Sequence, residues 1–121
     1  MTDDSHMHHA INYIEFGVAN MAESKRFYAE AFDWRFNGYG PTYAGIQRQG
    51  EDGEAGGFRL EPEVPPSGPL VILYSNDLDS TLRRVREAGG RISKAPFDFP
   101  GGRRFHFQDP SGNELAVWSE R

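Results

Sequence analysis

Sliding the sequence along itself by 57 residues superposes Tyr13 on Leu70, Asn20 on Asp77, Met21 on Leu78, Ser24 on Thr81 and Tyr28 on Val85. Identity is low, but the order of elements repeats. In the first copy Ile14, Phe16 and Val18 alternate with Tyr13, Glu15 and Gly17, the period of two of a strand with one packed face. Asn20 follows, with a side-chain oxygen able to accept from a free N–H of the next helix. Met21, Lys25, Tyr28, Ala29 and Phe32 then recur at helical spacing, and the helix should end before Gly38-Tyr39-Gly40-Pro41. Thr42 to Gln49 and Gly56 to Leu60 read as strands joined by the turn-rich Gly50 to Glu54. The second copy has a strand over Leu70 to Ser75, Asp77 at the cap and a helix over Asp79 to Ala88. Gly89-Gly90 supplies the left-handed exit. Between the copies, Glu61 to Pro69 is proline-rich and extended by its fixed φ angles. The chain then closes on a strand, the turn Asp109-Pro110-Ser111-Gly112-Asn113 and a last strand through Trp118.

A repeat of this kind predicts an α+β fold of two tandem βαβββ modules forming half-open barrel sheets. Each half-open sheet leaves apolar surface that the other module or a second chain must cover. The expected organisation is a flexible leader over residues 1–9 and a single domain over 10–121. That domain divides into a first module (10–61), a linker (62–69) and a second module (70–121). His6, His8 and His9 in the leader offer imidazoles to a metal, but a terminal His-rich tract reads first as a disordered tail.

Composition removes whole classes of function. A formal charge of -5 over 121 residues lacks the clustered basic surface that phosphate binding needs, so no nucleic-acid partner is expected. Arg83, Arg84 and Arg86 share a predicted helix with Glu87 and read as a solvated face. With no cysteine there are no disulfides, thiol nucleophiles or thiolate metal sites. No apolar run approaches the roughly 20 residues that span a bilayer, and no signal-peptide pattern is evident. The expectation is a cytoplasmic chain with no membrane partner.

The stretch Ile11 to Tyr28 resembles the opening of vicinal-oxygen-chelate proteins, the superfamily of glyoxalases, extradiol dioxygenases and bleomycin-resistance proteins. Its apolar positions, Ser24 and the Phe27-Tyr28 pair match. Leu70 to Asp79 is similar to the start of their second module, and Phe107 to Val117 to their closing turn and strand. The resemblance implies a half-open fold, a homodimer and a divalent metal held at positions that here carry Tyr13, Leu70 and Ala116. Leucine and alanine have no lone pair to give, and a phenol with its usual pKa near 10 is a poor substitute for imidazole. No metal or other cofactor is therefore expected at the inherited site. The aromatic residue at the first ligand position, with Glu15 following, is similar to a glyoxalase-like branch whose members mostly lack a demonstrated reaction.

The inherited ligand positions face the concave side of the sheet, and strand parity extends that face. It should carry Tyr13 and Glu15 in the first strand, Ile72 and Tyr74 in the fifth, and Arg104, His106 and Gln108 in the seventh. In the last strand it should carry Glu114, Ala116 and Trp118. Phe105, Phe107, Leu115 and Val117 should pack on the helices. Aromatic walls with a few polar groups suit a small-molecule site. Of these residues Tyr13, Glu15, Ile72, Tyr74, Arg104, His106, Gln108 and Trp118 are the candidate ligand contacts. Glu15 and His106 are candidates for proton transfer, for a structural hydrogen bond across the sheet, or for two side chains that simply face solvent. Arg104 suits a carboxylate or phosphate. Trp118 suits a flat ligand or a dimer interface. Three readings follow: metal-free binding of a small organic molecule by a homodimer; a lyase, isomerase or dioxygenase using a relocated divalent metal (Glu15, His106, Glu114) or Glu15 with His106; and a regulatory or scaffolding subunit.

Overall fold

The computed structural model describes residue 8, residues 11–62 and residues 70–120. Most of the expected leader and most of the expected linker lie outside them. Two four-stranded sheets, each with one helix, follow the predicted repeat. In the first module β1 (Ile14–Val18), α1 (Met21–Phe32), β2 (Phe36–Gly38), β3 (Tyr43–Gln47) and β4 (Glu54–Leu60) form a sheet of order β1-β4-β3-β2. In the second, β5 (Val71–Tyr74), α2 (Leu78–Glu87), β6 (Arg91–Phe99), β7 (Gly102–Gln108) and β8 (Glu114–Ser119) form a sheet of order β5-β8-β7-β6. In each sheet the first strand pairs parallel with the last and the other neighbours are antiparallel. Among the described residues neither sheet closes into a barrel.

The expected caps form. The Asn20 side chain accepts from the Glu23 N–H at 2.9 Å and that of Asp77 from the Ser80 N–H at 3.1 Å. α1 stops at Asp33, which takes a left-handed conformation (φ 61°) and donates its N–H to the Ala29 carbonyl. β1 is shorter than its apolar pattern, and β4 begins at Glu54 rather than Gly56. β2 spans three residues, too few to display a period. β6 hides its own alternation because its pairing with β7 shifts register twice, between Ile92 and Lys94 and between Lys94 and Phe97.

The core faces of both sheets share one hydrophobic cluster through the helices. Phe16, Val18 and Phe58 meet Phe27 and Tyr28 of α1, and Phe105, Phe107, Leu115 and Val117 join from the second sheet. Phe27 and Phe32 lie 6.0 and 5.7 Å from the Phe107 ring. At about 25 cal/mol per Å² of buried apolar area, such aromatic layers dominate the stabilisation.

The turn after β7 binds the modules together. Asp109 is buried and accepts from the N–H groups of Ser111 and Asn113, at 2.9 and 2.8 Å, and from the Tyr28 hydroxyl of α1 at 2.9 Å. Asn113 Nδ2 donates to the Gly17 carbonyl at 2.9 Å, and the Ala19 N–H donates to Ser111 Oγ at 2.9 Å. Burial pushes the Asp109 carboxyl above its ordinary pKa, and burial beside that carboxyl raises the Tyr28 phenol well above its own.

Candidate functional site

The polar face of each sheet carries a distinct arrangement. On the first sheet, register places Glu15 beside Gly57 and Gly57 beside Gly45, while Arg59 lies beside Tyr43. The two glycines make a floor over which long side chains lie. A Cβ at Gly57 would meet the hydroxyls of Tyr43 and Tyr13, and one at Gly45 would meet the Glu54 carboxylate. Arg59 donates to Glu15 at 2.9 Å and to Glu61 at 2.7 Å. Tyr43 donates to Glu15 at 2.9 Å, and the Tyr13 and Tyr43 hydroxyls are 2.5 Å apart. A phenol has one proton and an ionised carboxylate has none to give. Tyr43 spends its proton on Glu15, so Tyr13 donates to Tyr43. Tyr13 Oη then ends the chain with its own lone pairs uncommitted to that bond.

The electrostatics agree with this direction. Hydrogen bonds from Arg59 and then Tyr43 hold the Glu15 carboxyl below its ordinary pKa. Desolvation, and then the bonds with Tyr13 and Glu15, push the Tyr43 phenol up. A second group on the same sheet joins Tyr39 and Asn37, which donate to Glu54 at 2.5 and 2.8 Å. These bonds lower the Glu54 pKa, the Tyr39 bond first, and the same bond raises that of Tyr39.

On the second sheet two rows cross the strands. One runs Ile72, Ala116, His106, Lys94 and the next Tyr74, Trp118, Arg104, Phe97. Tyr74 and Trp118 meet edge to face at 5.1 Å, and Phe99 lies 6.2 Å from Trp118. The Arg104 guanidinium sits against the rings of Phe97 and Phe99, at 5.2 and 5.5 Å. Ile72, Phe99, Gly101, Arg104 and Trp118 line a groove of 370 Å³. Beside it His106, only 3% exposed, bonds Glu114 through Nδ1 at 3.0 Å.

The structure thus gathers Ile72, Tyr74, Arg104 and Trp118 at one end of the second sheet, with His106 one strand repeat away. Gln108 lies at the other end, opposite Glu114. Tyr13 and Glu15 stand on the first sheet. Glu15 takes Arg59 and Tyr43 as partners and His106 takes Glu114, so the two candidates for proton transfer are not joined to each other. Among the described residues, no three His, Asp or Glu side chains are grouped to hold a metal ion, Glu15, His106 and Glu114 included. Sequence reasoning missed Tyr43, Arg59 and Glu54, whose place depends on which residues of β3 and β4 face β1. It also missed Phe97 and Phe99, which the second register shift of β6 returns to the face of Arg104.

Residues 10–117 match the model of the Glyoxalase/Bleomycin resistance protein/Dioxygenase superfamily. The chain belongs to this superfamily. It is 32% identical over 124 residues to the anthracycline biosynthesis protein DauV of Streptomyces sp. strain C5, an alignment covering 88% of this chain and 45% of that protein. The chain thus spans just under half the length of that relative. It is 29% identical over 115 residues to an uncharacterized protein of Mycolicibacterium smegmatis, covering 92% of this chain and 94% of the other. Among solved structures it superposes on a glyoxalase-related enzyme from Fulvimarina pelagi with a TM-score of 0.77 at 19% identity, covering 93% and 88% of the two chains. It superposes on TnmS3, an antibiotic binding protein from Streptomyces sp. CB03234, with a TM-score of 0.69 at 23% identity, covering 96% and 100%. Such identities show the shared fold.

In this superfamily member the inherited metal positions have no coordinating set. The Tyr13 hydroxyl is bonded to Tyr43, Leu70 is exposed, and Ala116 is a buried methyl against which the His106 row packs. The repeat carries Ala116 onto Gly57, since Ile72 pairs Ala116 as Glu15 pairs Gly57. The space a carboxylate would take there is filled by two phenol hydroxyls. These residues do not fit a divalent cation, which calls for imidazole and carboxylate donors. No described helix is long and apolar enough to cross a membrane.

Proposed function

We propose that this superfamily member binds a planar aromatic molecule without a metal, holding it in the groove of the second sheet as part of a homodimer. The observation that carries the reading is the groove itself. Trp118, Phe99 and Ile72 give it apolar walls around 370 Å³, with Arg104 as its charged group, the mixture typical of small-molecule sites. The relative named for anthracycline biosynthesis supports an aromatic ligand of polycyclic size, anthracyclines being fused-ring aromatic molecules. Ile72 and Tyr74 are 45% and 56% exposed, and Tyr13 and Tyr39 on the other sheet are exposed as well. Two such open faces favour a second copy, whose first module, rich in Glu15, Glu54 and Glu61, closes over the groove of Arg104. Polycyclic aromatic probes should raise the melting temperature and quench Trp118 fluorescence, and Trp118→Ala should weaken binding while the fold persists. A panel of such probes that neither shifts the melting temperature nor quenches Trp118 at millimolar concentration overturns the reading.

A further inference from the structure

Among the described residues, three buried polar side-chain atoms lack a hydrogen-bond partner: Ser93 Oγ, Arg104 Nε and His106 Nε2. The last two lie on one face of one strand, two residues apart on β7, which separates them by roughly 6.6 Å along the strand. Their chemistry is opposite. Arg104 Nε is always a donor. Glu114, when ionised, only accepts, so in the neutral His106 ring the proton sits on Nδ1 toward Glu114 and Nε2 presents a lone pair. One aromatic ring covers both residues. Phe97 stacks on the Arg104 guanidinium at 5.2 Å and lies tilted over the His106 ring at 5.8 Å. Phe97 is the first paired residue of β6 after its second register shift and stands opposite Arg104.

A buried donor and a buried acceptor left unpaired cost stability, and a native chain keeps few of them. Here both stand on the same face of β7: Arg104 lines the groove, and His106 lies in the next row across the sheet. We propose that Arg104 Nε and His106 Nε2 are the polar end of the ligand site, uncovered when Phe97 turns aside, and that they select an aromatic ligand bearing a carboxylate or carbonyl at one end and a hydroxyl at the other. Arg104 donates to the first group and the ligand hydroxyl donates to His106 Nε2. The bond from Nδ1 to Glu114 holds the tautomer that makes Nε2 an acceptor. This assignment rests on the aromatic groove proposed above and adds the functional groups that the groove reads.

The test uses matched probes and Trp118 fluorescence: a naphthoate with its hydroxyl on the far ring, the methyl ether of that compound, the parent naphthoate and naphthol. The hydroxy-naphthoate should bind roughly three- to tenfold tighter than its methyl ether and the parent, the effect of one added hydrogen bond. His106→Phe should erase that preference, binding hydroxy-naphthoate, its methyl ether and the parent naphthoate equally. Arg104→Met should erase the preference for naphthoate over naphthol, with an unchanged melting transition as the folding control. Equal binding of hydroxy-naphthoate, ether and parent by the unmodified protein removes the His106 role while the groove stands. Equal binding of naphthoate and naphthol removes the Arg104 role. Quenching by none of the four removes the aromatic groove and this assignment with it.

Discussion

Replacing Tyr28 by phenylalanine removes one oxygen from the point where the two modules are tied. The Tyr28 hydroxyl donates to Asp109 Oδ2 at 2.9 Å in a site where both side chains are buried. Hydrogen bonds to charged groups contribute about 1.5–3 kcal/mol. Two features put this one at the lower end. Asp109 keeps its N–H donors from Ser111 and Asn113, together with Asn113 Nδ2 at 3.0 Å. The six-membered ring left by Tyr28→Phe also retains the stack that Tyr28 makes on Trp34, at 4.5 Å and 15°, so no cavity opens. The expected loss is about 1.5–2 kcal/mol, a fall in Tm of roughly 6–8 °C for a domain of this size. Asp109→Ala should cost more, about 3 kcal/mol, since it leaves the buried Tyr28 hydroxyl without an acceptor and takes theirs from the half-buried N–H groups of Ser111 and Asn113. Circular dichroism during thermal and urea unfolding measures both. A Tyr28→Phe loss below about 0.5 kcal/mol would mean that the turn does not bind the modules through this bond. Quenching of Trp118 by aromatic probes should be unaffected, because Tyr28 is a core residue on the opposite side of the sheets.

Acid should loosen the first sheet. The folded pKa values of Glu15 and Glu54 lie below the ordinary 4.5, so the stability they contribute is complete above that value and disappears as pH falls through the lower folded ones. Asp109, raised by burial, works in the other direction. Urea midpoints compared at pH 6 and pH 3 should fall, and Glu15→Gln should flatten the dependence; an unchanged slope in that variant would detach Glu15 from it. The melting temperature should not move with nickel, zinc, manganese, iron(II) or EDTA, whereas a stoichiometric, EDTA-sensitive metal would show that the donors had been misassigned.

Much of the fold is legible in the chain because its signals are local. Alternation marks Phe16 and Val18 for the core, as it does Phe105, Phe107, Leu115 and Val117, and all six are buried. Asn20 and Asp77 start their helices by capping free N–H groups within three residues. The two module starts share a helix cap and an apolar pattern at one offset. β2 and β6 escape for physical reasons: one is too short to show a period and the other is interrupted by register shifts.

What the sequence determines by itself is the repeat, the packed face of most strands and the chemical poverty of Tyr13, Leu70 and Ala116 as metal ligands, all properties of residue type and short-range period. Only the tertiary structure decides which side chains meet. Glu15 finds Arg59 across 44 positions of chain, His106 finds Glu114 rather than Glu15, and Phe97 covers Arg104 through a shifted register. Cross-strand neighbours depend on register, and register is set by turns and by burial summed over the whole sheet. A slip of one residue would keep every local pattern and exchange every partner.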